Sequence, residues 1–242
     1  RVDSGTTTSS TTTLAFAGGL VVANGATLAL SFDVDVSGDL VVEPTGTVSG
    51  AVSMRLFGAT PASSFAVEGS LAPTVTIDAG SDSVAAAAPG GTTTLGGPLS
   101  VQSGTFSIPV GQTLAATSVV VASAGVLAVD GDLSGGAVQL SGILSGLPTG
   151  VIAPTVDVSG AADLALSGRV AGLCTVLAGA TATVSGAPVF ATAAPATCET
   201  GTTSLVVQGG ATLAVSGAPV AAGDVSIAGD VVLNPGTLNV HL

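Results

Sequence analysis

Apolar and polar positions alternate along this chain in short runs, and the runs recur at a nearly constant spacing. Leu20-Val21-Val22 is followed by a turn centred on Gly25 and then by Ala26-Thr27-Leu28. The same order returns at Leu40-Val41-Val42 with Gly46-Thr47-Val48, and at Leu99-Ser100-Val101 with Gly104-Thr105-Phe106. It returns again at Val119-Val120-Val121 with Gly125-Val126-Leu127, and at Val156-Asp157-Val158 with Gly160. Leu205-Val206-Val207 with Gly210-Ala211-Thr212-Leu213, and Val225-Ser226-Ile227 with Gly229, close the series. Starts at 20 and 40 differ by 20, those at 99, 119, 138 and 156 by 20, 19 and 18, and 205 and 225 by 20 again.

A third, weaker element reads Gly168-Arg169-Val170, Gly186-Ala187-Pro188-Val189 and Gly217-Ala218-Pro219-Val220. Alternation with period two is the signature of strands, and it assigns the faces. Leu20, Val22, Leu28 and Leu30 point inward, while Val21, Thr27 and Ala29 point outward. Apolar spacing at 3.6 is absent and Gly or Ser interrupts every window, so helices are not expected. A fixed repeat of this length signals stacked supersecondary units. The predicted fold is therefore all-β, a β-solenoid (parallel β-helix) of about twelve coils of roughly 19–20 residues. Three short strands per coil would give a triangular rod of about 58 Å at strand spacing. The solenoid is expected to span residues 1–242 as one domain, with a polar Thr/Ser-rich segment at 1–13 and an inserted loop at 190–203. The stretch from Ser49 to Gly97 fits the repeat only loosely.

Segments such as Gly209-Gly210-Ala211-Thr212-Leu213-Ala214-Val215-Ser216-Gly217 resemble the β-helical repeats of bacterial secreted adhesins and autotransporter passenger domains. The resemblance lies in the style of the repeats and covers about three-quarters of the chain. It implies a secreted β-solenoid at the cell surface. No catalytic or binding residue carries over from it.

Composition narrows the function classes. The chain has 47% hydrophobic residues but only 2% aromatic and 7% charged, with no Trp, no Tyr and 35 Gly. That is too apolar for a disordered chain. Small and β-branched residues suit short strands around a narrow interior. The net charge is -12, with Arg1, Arg55 and Arg169 as the only bases. Three scattered arginines cannot neutralise a row of phosphates, so no nucleic-acid partner is expected. Membrane insertion is not expected either: Gly, Ser, Thr and Pro break the uncharged stretch from Val170 to Cys198. A spanning barrel would want aromatic girdles that six Phe cannot supply. The start at Arg1 with a polar run reads as a mature or trimmed form.

Candidate chemistry is sparse. Cys174 and Cys198 stand 24 residues apart, close to one repeat plus a short insertion, and are the candidate disulfide; two buried free thiols are the alternative. Asp33, Asp35 and Asp39, and Asp130 with Asp132, are oxygen-rich clusters that would suit Ca²⁺. Neither the EF-hand order nor the nonapeptide of calcium-binding rolls is present, so Asp reads as a strand terminator and no cofactor is expected. Glycoside hydrolysis wants paired carboxylates, and a nucleophile wants a base beside it. With no Lys and one His, at 241, the chain is not expected to be an enzyme. The Gly-Gly pairs lack the strand-turn-helix context of a phosphate loop.

What remains is surface. The outward series Thr27, Thr47, Thr105, Thr181, Thr183, Thr212 and Thr237, with Val21, Val41, Val120 and Val206 beside it, predicts a flat uncharged face for lateral contact. The alternating Leu238, Val240 and Leu242 predict an end contact, because a last coil with unpaired backbone recruits another chain. The expected function is an extracellular structural protein, a filament or surface-layer subunit that polymerises by head-to-tail and lateral contacts. The alternatives are the stalk or passenger of a bacterial adhesin, with a carbohydrate or protein ligand unnamed by the sequence, and an ice-binding protein using a Thr-bearing face.

Overall fold

The computed structural model of the chain describes residues 1–3, 6–8, 13–57, 63–190, 203–216, 219–234 and 236–240. Among these residues there is no helix, and the strands stack in parallel as a β-solenoid. Each coil visits three walls in a fixed order. The first wall begins with Leu14–Phe16 and Val34–Ser37, the second with Leu20–Val22 and Leu40–Val42, and the third with Thr6–Thr8 and Thr27–Ala29.

Parallel pairing runs without a break along the first wall from Leu14 through Val34, Met54, Val75, Leu99, Val119, Val138, Val156, Cys174 and Leu205 to Val225. The second wall runs in the same way from Leu20–Val22 to Asp230–Leu233. Four strands and then eight make up the third. Three long strands, Thr74–Ala86, Leu99–Ile108 and Val119–Val129, turn the corner from first wall to second within one strand. A register shift marks the bend, as between Val101 and Ser103.

Ten pairings along the first wall mean about ten turns, and at about 4.8 Å per step the stack is about 48 Å long. The expected twelve coils and 58 Å were too many. Steps from Met54 to Val75, Val75 to Leu99 and Cys174 to Leu205 are longer than the others, so the same residues make fewer turns.

The inward columns are dry. Leu20, Val22, Leu28 and Leu30 are all buried, as the alternation predicts, while Val21, Thr27 and Ala29 face out. Each fully buried Leu or Val contributes about 1.5–3 kcal/mol, and stacking repeats that gain on every coil. The largest buried side chains are Phe65, Phe106 and Phe190. Phe65 and Phe106 meet edge to face inside the second wall, with centroids 5.6 Å apart and planes at 79°.

Many corners are four-residue turns closed by one backbone bond, such as Ala26 N–H to Ala23 O (3.0 Å), Gln112 to Pro109 (2.9 Å) and Ala211 to Gln208 (3.0 Å). Their third residues, Gly25, Gly111 and Gly210, have φ between +73° and +80°, a left-handed conformation that Gly alone adopts without strain.

Candidate functional site

With the phase of the coils known, the predicted lateral face divides among three walls. Val21, Val41, Thr105, Thr181, Thr183 and Thr212 do lie outward on the second wall: Val21 pairs with Val41, and Thr181 with Thr212. Thr27 and Thr47 belong to the third wall, in rank with Thr6 and Ser70, and Thr237 sits there opposite Pro219. Val120 and Val206 are on the first wall, Val120 between Ser100 and Gln139, Val206 between Thr175 and Ser226. The reason is a loss of phase. Strands on all three walls read apolar-x-apolar, so counting across the long coils between 49 and 97 exchanges one wall for another.

The structure brings together a different set. Down the second wall, Thr105, Val126, Ile143 and Asp163 form one outward column. Ser107, Ala128, Ser145 and Ala165 form the next, two residues along each strand. From Val21 to Ala214 the outward register positions of this wall carry one charge, Asp163, whose Oδ1 accepts a bond from the Ser185 hydroxyl at 2.7 Å. Ile143 is 38% exposed. It borders a shallow depression of about 270 Å³ floored by Gly142, Ala161 and Ala162. The first wall contrasts with it, since its outward column carries Asp35, Arg55 and Asp157.

Arg55 is held by both Asp35 oxygens at 3.1 Å, stands 3.7 Å from Asp78, and lies 4.4 Å from the Phe57 ring centre. The hydrogen bond to Asp35 raises its pKa above the ordinary guanidinium value, with the charges of Asp35 and Asp78 adding to it. The pair is exposed and contributes little stability.

The acidic residues singled out in the sequence are drawn apart by backbone work. Asp33 Oδ1 accepts from Ser53 N–H at 2.9 Å and Asp39 Oδ1 from Ser64 N–H at 2.7 Å, while Asp35 faces Arg55. Asp130 Oδ1 accepts from Leu147 N–H at 2.8 Å, and Asp132 lies on the third wall between Thr113 and Val151. Each such carboxylate clasps the amide one coil further on. Sequence reasoning missed these clasps, because partners about twenty residues apart become visible only when the coils are in phase. Among the described residues no three His, Cys, Asp or Glu side chains gather in metal-binding positions.

Cys174 points into the core of the first wall, between Val156 and Leu205, and is a free thiol with no exposed surface. The predicted Cys174–Cys198 disulfide is therefore not found, and Cys198 lies outside the described residues. An inward strand position directs Cys174 Sγ into the core. Of the inserted loop at 190–203, Phe190 ends the third-wall strand Val189–Phe190 and Thr203 begins the first-wall strand Thr203–Val207; residues 191–202 lie outside the described residues.

Burial, aided by the charge of Asp157, pushes the thiol up to about 12 from 9.0. The folded state thus holds the proton more tightly than the unfolded chain. This contribution is complete below about pH 9 and is lost as pH rises toward 12. Alkylation of the native protein at pH 8 is expected to leave Cys174 unmodified by peptide mapping, with full labelling in denaturant. Labelling of the native thiol at the rate of a free one would contradict its burial.

Of the predicted end contact, Leu238 is partly buried in the last third-wall strand, Val240 closes that strand opposite Ala222, and Leu242 lies outside the described residues. The same rung exposes side chains in core columns: Ile227, opposite buried Val207, is 48% exposed, and Leu233, opposite buried Val215, 53%. At the other end Val2, Leu14 and Phe16 are partly buried against the core.

No protein-family model matches the sequence, and neither the curated proteins nor the solved structures yield a match.

Proposed function

We propose that this chain is an extracellular structural protein, a subunit that associates side by side through its second wall and end to end through its terminal rungs. The observation that carries the reading is the second wall itself. Across the ten strands from Leu20–Val22 to Thr212–Val215 the outward positions are Val, Ala, Ser, Thr and Ile with a single carboxylate, Asp163, and the eleventh strand adds Asp230. At strand spacing this wall is about 48 Å long and about 13 Å wide, so two copies face to face would bury about 1,200 Å², the lower bound of a specific interface. Short side chains lose little rotamer freedom on contact. The partner is a second copy: on a chain of net charge -12, two such walls can meet with Asp163 as the one carboxylate on each up to Ala214, so like-charge repulsion at the contact stays small.

End contacts rest on the half-exposed Ile227 and Leu233, which occupy columns that are buried one coil earlier. A stacked copy would return these side chains to the environment of Val207 and Val215, and a contact that does not close on itself continues as a filament. A cell-surface setting follows the resemblance of the repeats to adhesin and autotransporter passenger domains.

Ionic strength tests the lateral contact. Charges elsewhere on the rods repel, while the contact itself is uncharged, so salt should strengthen association as the Debye length falls from about 10 Å at 0.1 M to about 3 Å at 1 M. Light scattering is expected to rise with sodium chloride. Dissociation by salt would mean that ion pairs, not the second wall, hold the copies.

A further inference from the structure

We propose that Asn24–Gly25 is a latent deamidation site that Thr45, one coil away, holds shut. The chain has three asparagines, at 24, 234 and 239, followed by Gly, Pro and Val. Ring closure needs the amide nitrogen of the next residue to reach the side-chain carbonyl carbon. Pro235 offers no N–H and the branched Val240 crowds its own, so Asn24 alone has an unhindered neighbour. Asn24 and Gly25 are the central pair of the exposed turn Ala23–Ala26, where Gly25 has φ +73°. An added Cβ at Gly25 would meet no atom within 4 Å, so that side of the turn is open to water.

Sequence and exposure therefore favour reaction, and four bonds from the neighbouring coil, three with Thr45 and one with Glu43, oppose it. Gly25 N–H, the would-be nucleophile, donates to Thr45 Oγ1 at 2.8 Å. Asn24 Oδ1 accepts from Thr45 N–H at 3.0 Å and from the Thr45 hydroxyl at 3.1 Å, which pins the carbonyl away from its own backbone. Asn24 N–H is tied to Glu43 Oε2 at 2.8 Å.

When the clasp opens, Gly25 N forms a bond to Asn24 Cγ and loses its proton. The Cγ–NH₂ bond breaks, and that proton leaves with the amide nitrogen as ammonia. One water then opens the succinimide at either carbonyl, giving Asp or isoaspartate, with no change of oxidation state. Either product sets a new carboxylate beside Glu43, and isoaspartate adds a methylene to the main chain between strands Leu20–Val22 and Thr27–Ala29. Reaction would loosen the coils next to the N-terminal rung, and it would proceed only in chains whose Thr45 clasp had opened.

Wild type, Thr45→Val and Thr45→Ser would be incubated in mildly alkaline buffer, and conversion at position 24 followed by mass spectrometry and isoaspartate labelling. Thr45→Val keeps the side chain's shape, frees Gly25 N–H and removes the hydroxyl's bond to Asn24 Oδ1, so deamidation is expected to run at least about five- to tenfold faster than wild type, the value of one such bond expressed as a rate. Thr45→Ser should match wild type. Wild type in urea should react faster than native wild type, a comparison that stands even where a variant fails to fold. Equal rates for wild type in the native and urea states, or Thr45→Val no faster than Thr45→Ser, would overturn the proposal.

Discussion

Replacing Phe106 with alanine is expected to destabilise the protein by about 3–5 kcal/mol, the largest loss we anticipate from any single truncation. Phe106 has no exposed surface, stacks between Val84 and Leu127 in the inward column of the second wall, and meets Phe65 edge to face. Its removal leaves a cavity that the neighbouring coils cannot close, because parallel ladders above and below fix the backbone. The aromatic contact adds about 0.5–1.5 kcal/mol beyond area burial. Against a usual stability of 5–15 kcal/mol, such a loss is a large fraction of the whole. Because a solenoid is coupled coil to coil, the damage should first separate the coils on either side of residue 106, broadening the transition. Equilibrium unfolding in urea, followed by circular dichroism, measures it. A loss below about 1 kcal/mol would mean that this part of the interior is not close-packed.

The second large effect concerns association and leaves the fold alone. Val126 and Ile143 are cross-strand neighbours at the centre of the second wall, both outward. Exchanging both for glutamate changes surface positions, where substitutions usually cost within about 0.5 kcal/mol. In a face-to-face pair the same change sets like charges against each other in a desolvated contact, which costs several kcal/mol. Self-association should therefore weaken by at least about a hundredfold, with the unfolding midpoint unchanged. Sedimentation velocity reads the first quantity and urea unfolding the second. Glutamates at Thr27 and Val120, on the third and first walls, serve as the control and should leave association intact. Equal dispersal by both pairs would assign the effect to net charge and remove the second wall from the account.

The two effects also show which levels of structure the sequence discloses. Strand existence and inward direction were legible because they are local: Leu20, Val22 and Leu28 alternate with Val21 and Thr27 whatever lies elsewhere in the chain. Coil length was legible where successive coils agree, as from Leu99 to Val119 to Val138. Wall identity was not, because it is cumulative. Leu20 and Leu99 begin look-alike triplets yet stand on the second and first walls, since the coils between them are longer and irregular. Every long-range assignment inherits that ambiguity, the outward face and the Asp33–Ser53 and Asn24–Thr45 clasps among them. Cys174 illustrates a different limit: its spacing from Cys198 suggested a bridge, whereas its place in an inward triplet, Cys174-Thr175-Val176, made it a core side chain. The alternation that identified the strands already held that information.

Negative-stain electron microscopy of the purified chain tests the central claim most directly. The account predicts filaments and side-by-side bundles whose lateral order improves with salt and disappears in the Val126→Glu, Ile143→Glu variant. Separate rods about 48 Å long at every salt concentration, the length of ten strand steps, would contradict it and place the chain with monomeric stalks.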